Sequence, residues 1–379
     1  MKVDQHRWSA TTGWESGPTG ELAESAQLVL LFGNTEILKN KEPLDKIKTA
    51  YPNAHLLGCS TAGEICGTQV TDESLVATAV NFEFSQLKGA RTKLSDVGNS
   101  FQAGEHLANS LDREGLVHVF VLSDGIEVNG SDLVEGLVNS LPDSITLTGG
   151  LSGDGEHFKE TLVFWDGPPE SGVITALGLY GERLKVGYGS LGGWDPFGPD
   201  RVITRSNANV LYELDGKSAL ELYKRYLGEH ALGLPATGLL FPLSLRSKKG
   251  DTGVVRTILS INEKEKSMTF AGNVPEGDYA RLMKANFDRL IDGASEAAKT
   301  SYEAIGSSSP DLAILISCVG RKMVLRQRVE EEVEGVREIL GDQTVLTGFY
   351  SYGEISPFRP GVKCSLHNQT MTITTFSER

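Results

Sequence analysis

The chain of 379 residues carries a formal net charge of −14, which disfavours nucleic acid as a partner because such affinity comes largely from Lys and Arg neutralising phosphates. Its length suits roughly two domains, and its four cysteines show no CxxC and no Cys/His spacing suited to zinc. No apolar run approaches the ~20 residues of a membrane span and the N-terminus shows no signal-peptide core, so we expect a cytoplasmic protein that does not contact a membrane.

A strand–helix–strand–loop pattern begins near residue 28. The apolar run 28–32 is typical of a strand buried on both faces. A helix with Pro43 in its first turn follows. A second short strand, 54–57, then leads directly into a glycine-rich loop.

The same order returns twice along the chain. The second pass has a strand at 117–122, a helix at 131–141 and a strand at 145–147, and the third has strands at 312–316 and 345–346 around a helix. That last helix is predicted to bury Val329, Val333, Val336 and Leu340 and to expose a glutamate-rich face.

The second and third passes share further elements upstream, in the same order and at a slowly growing offset, as loop insertions into a duplicated domain produce. We therefore predict an α/β fold of two tandem duplicated α/β units with mixed sheets. The predicted domains are 25–214 and 215–379, with ligand loops at the carboxyl ends of strands.

Three loops have related sequences, each after a buried strand. In α/β sheets ligands gather at the carboxyl ends of strands, and glycines let the backbone approach a ligand and expose N–H groups. The candidate ligand-binding residues in these loops are Gly58, Ser60, Thr61, Gly63 and Glu64, then Gly149, Gly150, Ser152 and Asp154, and finally Tyr350, Ser351, Tyr352 and Glu354. In the alternative interpretation, the glycines only permit sharp turns and the acidic residues are caps or surface groups. No phosphate-binding fingerprint is present.

Cys318 and Arg321 occupy the junction between the third-pass strand and its helix, and both are candidate ligand-binding residues. A thiol there could meet helix N-terminal dipoles and a guanidinium, both of which lower a cysteine pKa. Cys318 is thus a candidate nucleophile, although no neighbouring histidine supplies a base. The alternative is a packed cysteine beside a ligand-binding or structural arginine.

Several motifs together resemble the FIST family, which pairs an N-terminal and a C-terminal FIST domain. The matching segments are 57–65, 122–125, 148–155, 317–321 and 348–355. The resemblance implies an intracellular sensory protein, not an enzyme, that binds a small ligand such as an amino acid and has no cofactor. Because no output domain is evident, it also implies a separate signalling partner, such as a histidine kinase or a cyclase. Alternatives are a haem-based nitric oxide sensor, known among relatives, and an enzyme using Cys318.

Overall fold

The structure is a computed structural model that describes residues 1–15, 17, 20–248, 253–306, 309–358 and 361–378. In this part of the chain, one α/β arrangement occurs three times, and a β-rich subdomain is inserted into the third copy. None of its helices is both long and apolar enough to cross a bilayer.

The first unit uses the N-terminal strands and two short helices. Asn34 and Asn40 cap these helices by accepting hydrogen bonds from the N–H groups of Glu36 and Glu42. Its elements are β1 (Lys2–Ser9), β2 (Gly13–Trp14), β3 (Leu28–Gly33), α1 (Thr35–Lys39), α2 (Lys41–Ala50), β4 (His55–Ser60), β5 (Glu64–Cys66), β6 (Gln69–Thr71) and β7 (Ser74–Asn81).

The second unit follows directly and adds two helices before its central strand. Asn99 and Asn129 cap its two longer helices. Its elements are β8 (Gln86–Lys93), α3 (Leu94–Val97), α4 (Ser100–Ser110), β9 (Leu116–Ser123), α5 (Gly130–Ser140), β10 (Thr146–Leu151), β11 (Val163–Trp165) and β12 (Val173–Tyr180).

The third unit begins with β13 (Leu184–Leu191) and is then interrupted by the inserted subdomain. The insert comprises β14 (Trp194–Asn207), β15 (Val210–Leu214), β16 (Lys217–Ser218), α6 (Ala219–Leu227), 3₁₀ turns at Gly228–Gly233 and Ala236–Leu240, β17 (Leu243–Arg246), β18 (Val254–Arg256), β19 (Ile258–Asn262), β20 (Ser267–Phe270) and β21 (Tyr279–Ala285). The unit resumes with α7 (Phe287–Ala304), β22 (Leu312–Cys318), α8 (Val319–Leu325), a 3₁₀ turn at Arg326–Arg328, α9 (Val329–Leu340), β23 (Val345–Ser351), β24 (Gly353–Pro357), β25 (Cys364–His367) and β26 (Met371–Glu378).

Strand pairing is the same in all three units. The central strand runs parallel to the strand after its helix and antiparallel to the last strand, so that β3 pairs with β4 and β7, β9 with β10 and β12, and β22 with β23 and β26. The predicted α/β fold of tandem units with mixed sheets is confirmed. The structure adds that the predicted N-terminal domain itself contains two of the three units.

Exchanged strands link the units into a closed cycle. The strand after each glycine-rich loop pairs with a strand of a neighbouring unit: β5 joins β23, β11 joins β4, and β24 joins β10. β5 and β24 also pair with β6 and β25 of their own units. Each unit therefore extends the sheet of one neighbour and has its own sheet extended by the other. This exchange brings the three glycine-rich loops toward the same place, since each precedes an exchanged strand.

The central core is shared by the three units. Leu30, Phe120 and Ile314 hold equivalent positions on the central strands, and all three lie in one apolar cluster with at most 3% of their surface exposed. Burying such side chains stabilises the fold by about 1.5–3 kcal/mol each. The inserted subdomain has a separate core, and the predicted domain boundary falls in its tight turn between β15 and β16.

Candidate functional site

The three glycine-rich loops meet in a closed ring of backbone hydrogen bonds. We call them loop 1 (residues 58–64), loop 2 (149–155) and loop 3 (348–354). The ring bonds run from Ala62 N–H to Tyr350 O (2.8 Å), from Tyr352 N–H to Leu151 O (3.2 Å) and from Gly153 N–H to Ser60 O (3.0 Å). Within this ring each loop donates one bond and accepts one, and loop 1 accepts two further bonds, from Tyr350 N–H to Gly63 O (2.8 Å) and from Gly155 N–H to Thr61 O (3.2 Å). The structure brings the loops together, while their contact with a ligand stays a prediction.

Gly58, Gly149 and Gly348 hold equivalent positions, and each is packed against the central strand of its own unit. A Cβ atom would lie 2.3 Å from Leu31 O at Gly58, 1.9 Å from Val121 O at Gly149 and 1.8 Å from Leu315 O at Gly348. These distances leave no room for a side chain. Close strand packing therefore accounts for these three glycines without a ligand.

The other predicted glycines are also enclosed. A Cβ at Gly63 would lie 2.6 Å from Lys322 Nζ, and one at Gly150 would lie 2.8 Å from Ile316 Cγ2. Gly63 also has a positive φ of 135°, which side chains rarely adopt.

Glu64 is buried in loop 1, with 1% of its surface exposed. Its Oε1 accepts a hydrogen bond from Thr61 Oγ1, and its Oε2 accepts bonds from Ser74 N–H at 3.2 Å and Ser74 Oγ at 2.6 Å. Burial raises the pKa of Glu64 to about 7, against the opposing effect of these donors. Ser60 is held separately, since its Oγ accepts from Leu162 N–H at 2.8 Å.

Glu354 repeats this arrangement in loop 3 and is completely buried. Ser351 Oγ donates to its Oε1 at 2.6 Å, while Thr370 donates to its Oε2 from N–H at 3.1 Å and from Oγ1 at 2.9 Å. Burial raises the pKa of Glu354 to about 8. Two enclosed carboxyls thus have pKa values near neutrality, a feature that clusters at functional sites.

Loop 2 lacks such a glutamate and is held differently. Ser152, at the position of Thr61 and Ser351, donates to Ser123 O at 3.0 Å. Asp154 Oδ1 accepts a hydrogen bond from Tyr352 Oη, and its carboxylate also caps the N–H groups of Phe158, Lys159 and Glu160 at 2.8–3.0 Å. Asp154 and Tyr352 therefore fasten loop 2 to loop 3.

Arg321 lies in a buried ion pair with Glu332 of α9, and neither side chain is exposed. Its Nε and Nη2 donate to Glu332 Oε2 at 3.0 and 2.7 Å, and its remaining bonds reach Gly192 O and Leu290 O. Tyr350 Oη donates to Glu332 Oε1 at 2.6 Å. The expected glutamate-rich outer face of this helix is wrong at Glu332, because the burial of Arg321 requires a counter-charge.

Cys318 is also completely buried, at the start of α8. Desolvation is the largest influence on this thiol and raises its pKa, outweighing the smaller lowering effects of Gly320 N–H and Arg321. Burial and the raised pKa favour the packed-cysteine alternative over the nucleophile.

A cleft of about 390 Å³ lies beside loop 3, between the third unit and the inserted subdomain. Its walls come from the β13–β14 junction, from β17, β18 and β21, and from α7. Thr370, which holds Glu354, lines this cleft with His367. We call it the Thr370 cleft. Sequence reasoning missed both residues because neither stands in a glycine-rich loop.

The Thr370 cleft presents several kinds of polar group. His367 Nε2 lies 2.9 Å from the Ser356 carbonyl oxygen and must donate to it, and burial lowers the His367 pKa to about 4. The ring is therefore neutral near pH 7 and keeps Nδ1 as an acceptor. Arg289, Asp292 and Glu296 of α7 supply charges of both signs.

The buried segment 366–370 connects the inserted subdomain to loop 3. Asn368 Nδ2 donates to Tyr352 O at 3.2 Å, and Asn368 Oδ1 accepts from Thr257 N–H at 3.4 Å. Gln369 Nε2 donates to Leu239 O at 3.0 Å and to Thr257 Oγ1 at 3.1 Å. A displacement of the subdomain would therefore act directly on the segment that holds loop 3.

Three interlocked α/β units with one inserted β-rich subdomain define the architecture. Residues 27–217 match the FIST N domain and residues 219–357 match the FIST C domain. The chain therefore belongs to the FIST family, whose domains are associated with the sensing of small ligands in signal transduction.

Two individual proteins were also found to be similar. An uncharacterised protein of Methanocaldococcus jannaschii is 22% identical over 343 residues, which cover 83% of this chain and 64% of that protein. The chain thus spans less than two thirds of that relative's length. A crystal structure of cyanuric acid hydrolase from A. caulinodans aligns with 78% of this chain and 100% of its own, at 11% identity and a TM-score of 0.20. That score is too low to bear on fold or function.

Proposed function

We propose that this FIST protein is an intracellular sensor that binds a small polar ligand in the Thr370 cleft. One observation carries the proposal: Thr370 lines the cleft and also donates two hydrogen bonds to Glu354 of loop 3. Occupancy of the cleft can therefore reach the ring that joins all three units.

The chemistry of the cleft favours a zwitterionic ligand such as an amino acid or a related metabolite. Arg289 offers a guanidinium for a carboxylate, although Asp195 already shares it. Asp292 and Glu296 can receive an ammonium group, and His367 Nδ1 can accept a further hydrogen bond. The volume of about 390 Å³ suits a ligand of this size.

Segment 366–370 would transmit the effect of ligand binding from the Thr370 cleft to loop 3. A ligand that pulls the inserted subdomain toward α7 would shift Thr257 and Leu239, and with them Asn368 and Gln369. The resulting change at loop 3 would bias the relative arrangement of the units. A separate output protein, such as a histidine kinase or a cyclase, would read that change.

The test is a binding screen of amino acids and related metabolites by thermal unfolding, followed by calorimetry. Ser244→Trp places an indole in the cleft and should abolish binding of any hit. Ser260→Trp is the matched control, since Ser260 is an exposed serine of β19 in the same subdomain. The proposal is wrong if no compound stabilises the protein, or if both variants bind a hit equally well.

Hydrogen exchange then tests transmission. In the wild type, the ligand should slow exchange in both segment 366–370 and loop 3. In Thr370→Val, which loses the hydroxyl bond to Glu354, the effect on loop 3 should be much smaller while binding persists. Equal protection of loop 3 in both proteins would contradict the proposed route.

A further inference from the structure

A second cavity, of about 410 Å³, separates helix α5 of the second unit from the inserted subdomain. Ser131 and Asn139 of α5 form one wall, and Arg256 of β18 forms part of the other. The cavity therefore lies between a FIST N residue set and a FIST C residue set. We call it the Arg256 cavity, and it is distinct from the Thr370 cleft.

Arg256 is a buried cation, with 6% of its surface exposed. Its Nε donates to Asn273 O at 3.2 Å, and its Nη1 donates to Leu366 O at 3.0 Å and to Val255 O at 3.4 Å. All these partners are neutral carbonyl groups. Among the described residues, no carboxylate forms an ion pair with Arg256, and Nη2 donates no hydrogen bond.

This arrangement is unusual because a buried charge is costly unless an opposite charge compensates it. Arg321 in the same chain follows the usual rule and is paired with Glu332. Desolvation lowers the pKa of Arg256 to about 10, because its surroundings destabilise the charged guanidinium relative to water. An anion in the cavity would supply the missing compensation.

Neighbouring groups are placed to assist an anion. Ser131 Oγ accepts from Asn273 N–H at 3.1 Å, so its own proton remains available for donation. Gly272 permits the close approach of Ser131 and Arg256, because a Cβ there would lie 2.7 Å from Ser131 Oγ and 2.9 Å from Arg256 Nε. Lys363 adds a second cation to the lining.

We propose that the Arg256 cavity binds a small anion whose carboxylate or phosphate group accepts hydrogen bonds from Arg256 Nη2 and Ser131 Oγ. Glu135 and Asp278 also line the cavity and disfavour large polyanions. Because Ser131 and Arg256 belong to different FIST domains, the bound anion joins them. Arg256 also holds Leu366, so the anion stabilises one end of segment 366–370.

The probes are inorganic phosphate and acetate, each titrated into the full chain at constant ionic strength set with chloride. Either probe should raise the thermal unfolding temperature of the wild type with saturation, and the stronger response identifies the preferred group. Arg256→Gln should weaken the apparent affinity at least about tenfold. Arg246→Gln, an exposed arginine of the same subdomain, is the matched control and should respond like the wild type.

A second variant keeps the proposal testable if Arg256→Gln does not fold. Asn139 is exposed on α5 and lines the cavity, so Asn139→Trp fills the space while leaving Arg256 and its partners intact. Its unfolding temperature in chloride should match that of the wild type, but the anion response should vanish. An equal response in Asn139→Trp and wild type, or no saturable response of the wild type to either probe, overturns the proposal.

Discussion

Arg321 and Glu332 form an ion pair from which solvent is completely excluded, with Arg321 Nη2 2.7 Å from Glu332 Oε2. The pair joins five parts of the third unit, because Arg321 of α8 and Glu332 of α9 also bond to other elements: Arg321 donates to Gly192 O after β13 and to Leu290 O of α7, and Tyr350 of β23 donates to Glu332. Four of the five N–H groups of Arg321 are thus engaged in structural bonds. These bonds account for the burial of Arg321 without a ligand, and its predicted contact with a ligand stays a prediction.

Glu332→Gln should destabilise the protein by about 3–5 kcal/mol, because it leaves the Arg321 cation buried without a counter-charge. Urea unfolding monitored by circular dichroism measures the loss. Glu331→Gln is the control on the same helix, and since Glu331 is partly exposed and paired with Arg328, its stability should change little. Similar stability losses in the two variants would contradict the structural role.

Gly348→Ala should destabilise the protein by about 3 kcal/mol or more, because the added methyl group would lie 1.8 Å from Leu315 O and force two neighbouring strands apart. Gly67→Ala serves as the control. Gly67 has a φ of 60° and open space around its Cβ position, so only the backbone cost of about 1 kcal/mol should appear. The two losses are compared by urea unfolding, and equal values would contradict the packing argument.

The sequence was sufficient to predict the repeated units and the three related loops. Apolar runs such as 28–32 mark the central strands, and loop 1 and loop 3 share a hydroxyl three residues before a glutamate. Each loop follows the carboxyl end of a strand that runs parallel to the central strand of its own unit. These signals depend only on neighbouring residues, so they can be recognised in a single sequence.

Long-range contacts were not predictable in the same way. Glu332 stands among several glutamates of α9, and only the folded chain shows that Arg321 faces that one. Thr370 gains its importance from a bond to Glu354, sixteen residues earlier in the sequence. The exchange of β5, β11 and β24 between units likewise depends on partners that no local pattern encodes.

Cys318 should react with a small alkylating reagent roughly a hundredfold more slowly than a free thiol at neutral pH, because the thiol is inaccessible and its pKa is raised by burial. Its labelling should instead follow the unfolding rate and accelerate with urea. Peptide mapping separates it from Cys66, which is partly exposed and provides the comparison. Faster alkylation of Cys318 than of Cys66 in the native protein would restore the nucleophile hypothesis.

The two buried loop carboxyls should make stability depend on pH. Burial raises the pKa of Glu64 to about 7 and that of Glu354 to about 8, whereas both titrate near 4.3 in an unfolded chain. The folded state therefore binds these protons more tightly. Their contribution to the free energy of unfolding is fully present below about pH 4 and is lost as the pH rises through 7 and 8, with a magnitude on the order of 4–5 kcal/mol for each group.

Glu354→Gln isolates this contribution, because a neutral amide resembles the protonated carboxyl and cannot ionise. Relative to the wild type, the variant should gain stability between about pH 5 and pH 9, as the wild type bears the growing cost of an ionised buried carboxylate. Urea unfolding at several pH values measures the difference in free energy of unfolding between the variant and the wild type. The other titrating groups affect both proteins alike, so their effects cancel in this difference. Glu338→Gln, at an exposed position without an ion pair among the described residues, should show no such trend. A difference for Glu354→Gln that stays constant over this range would mean that the carboxyl remains ionised throughout, and that the hydroxyl and N–H donors of Ser351 and Thr370 outweigh its burial.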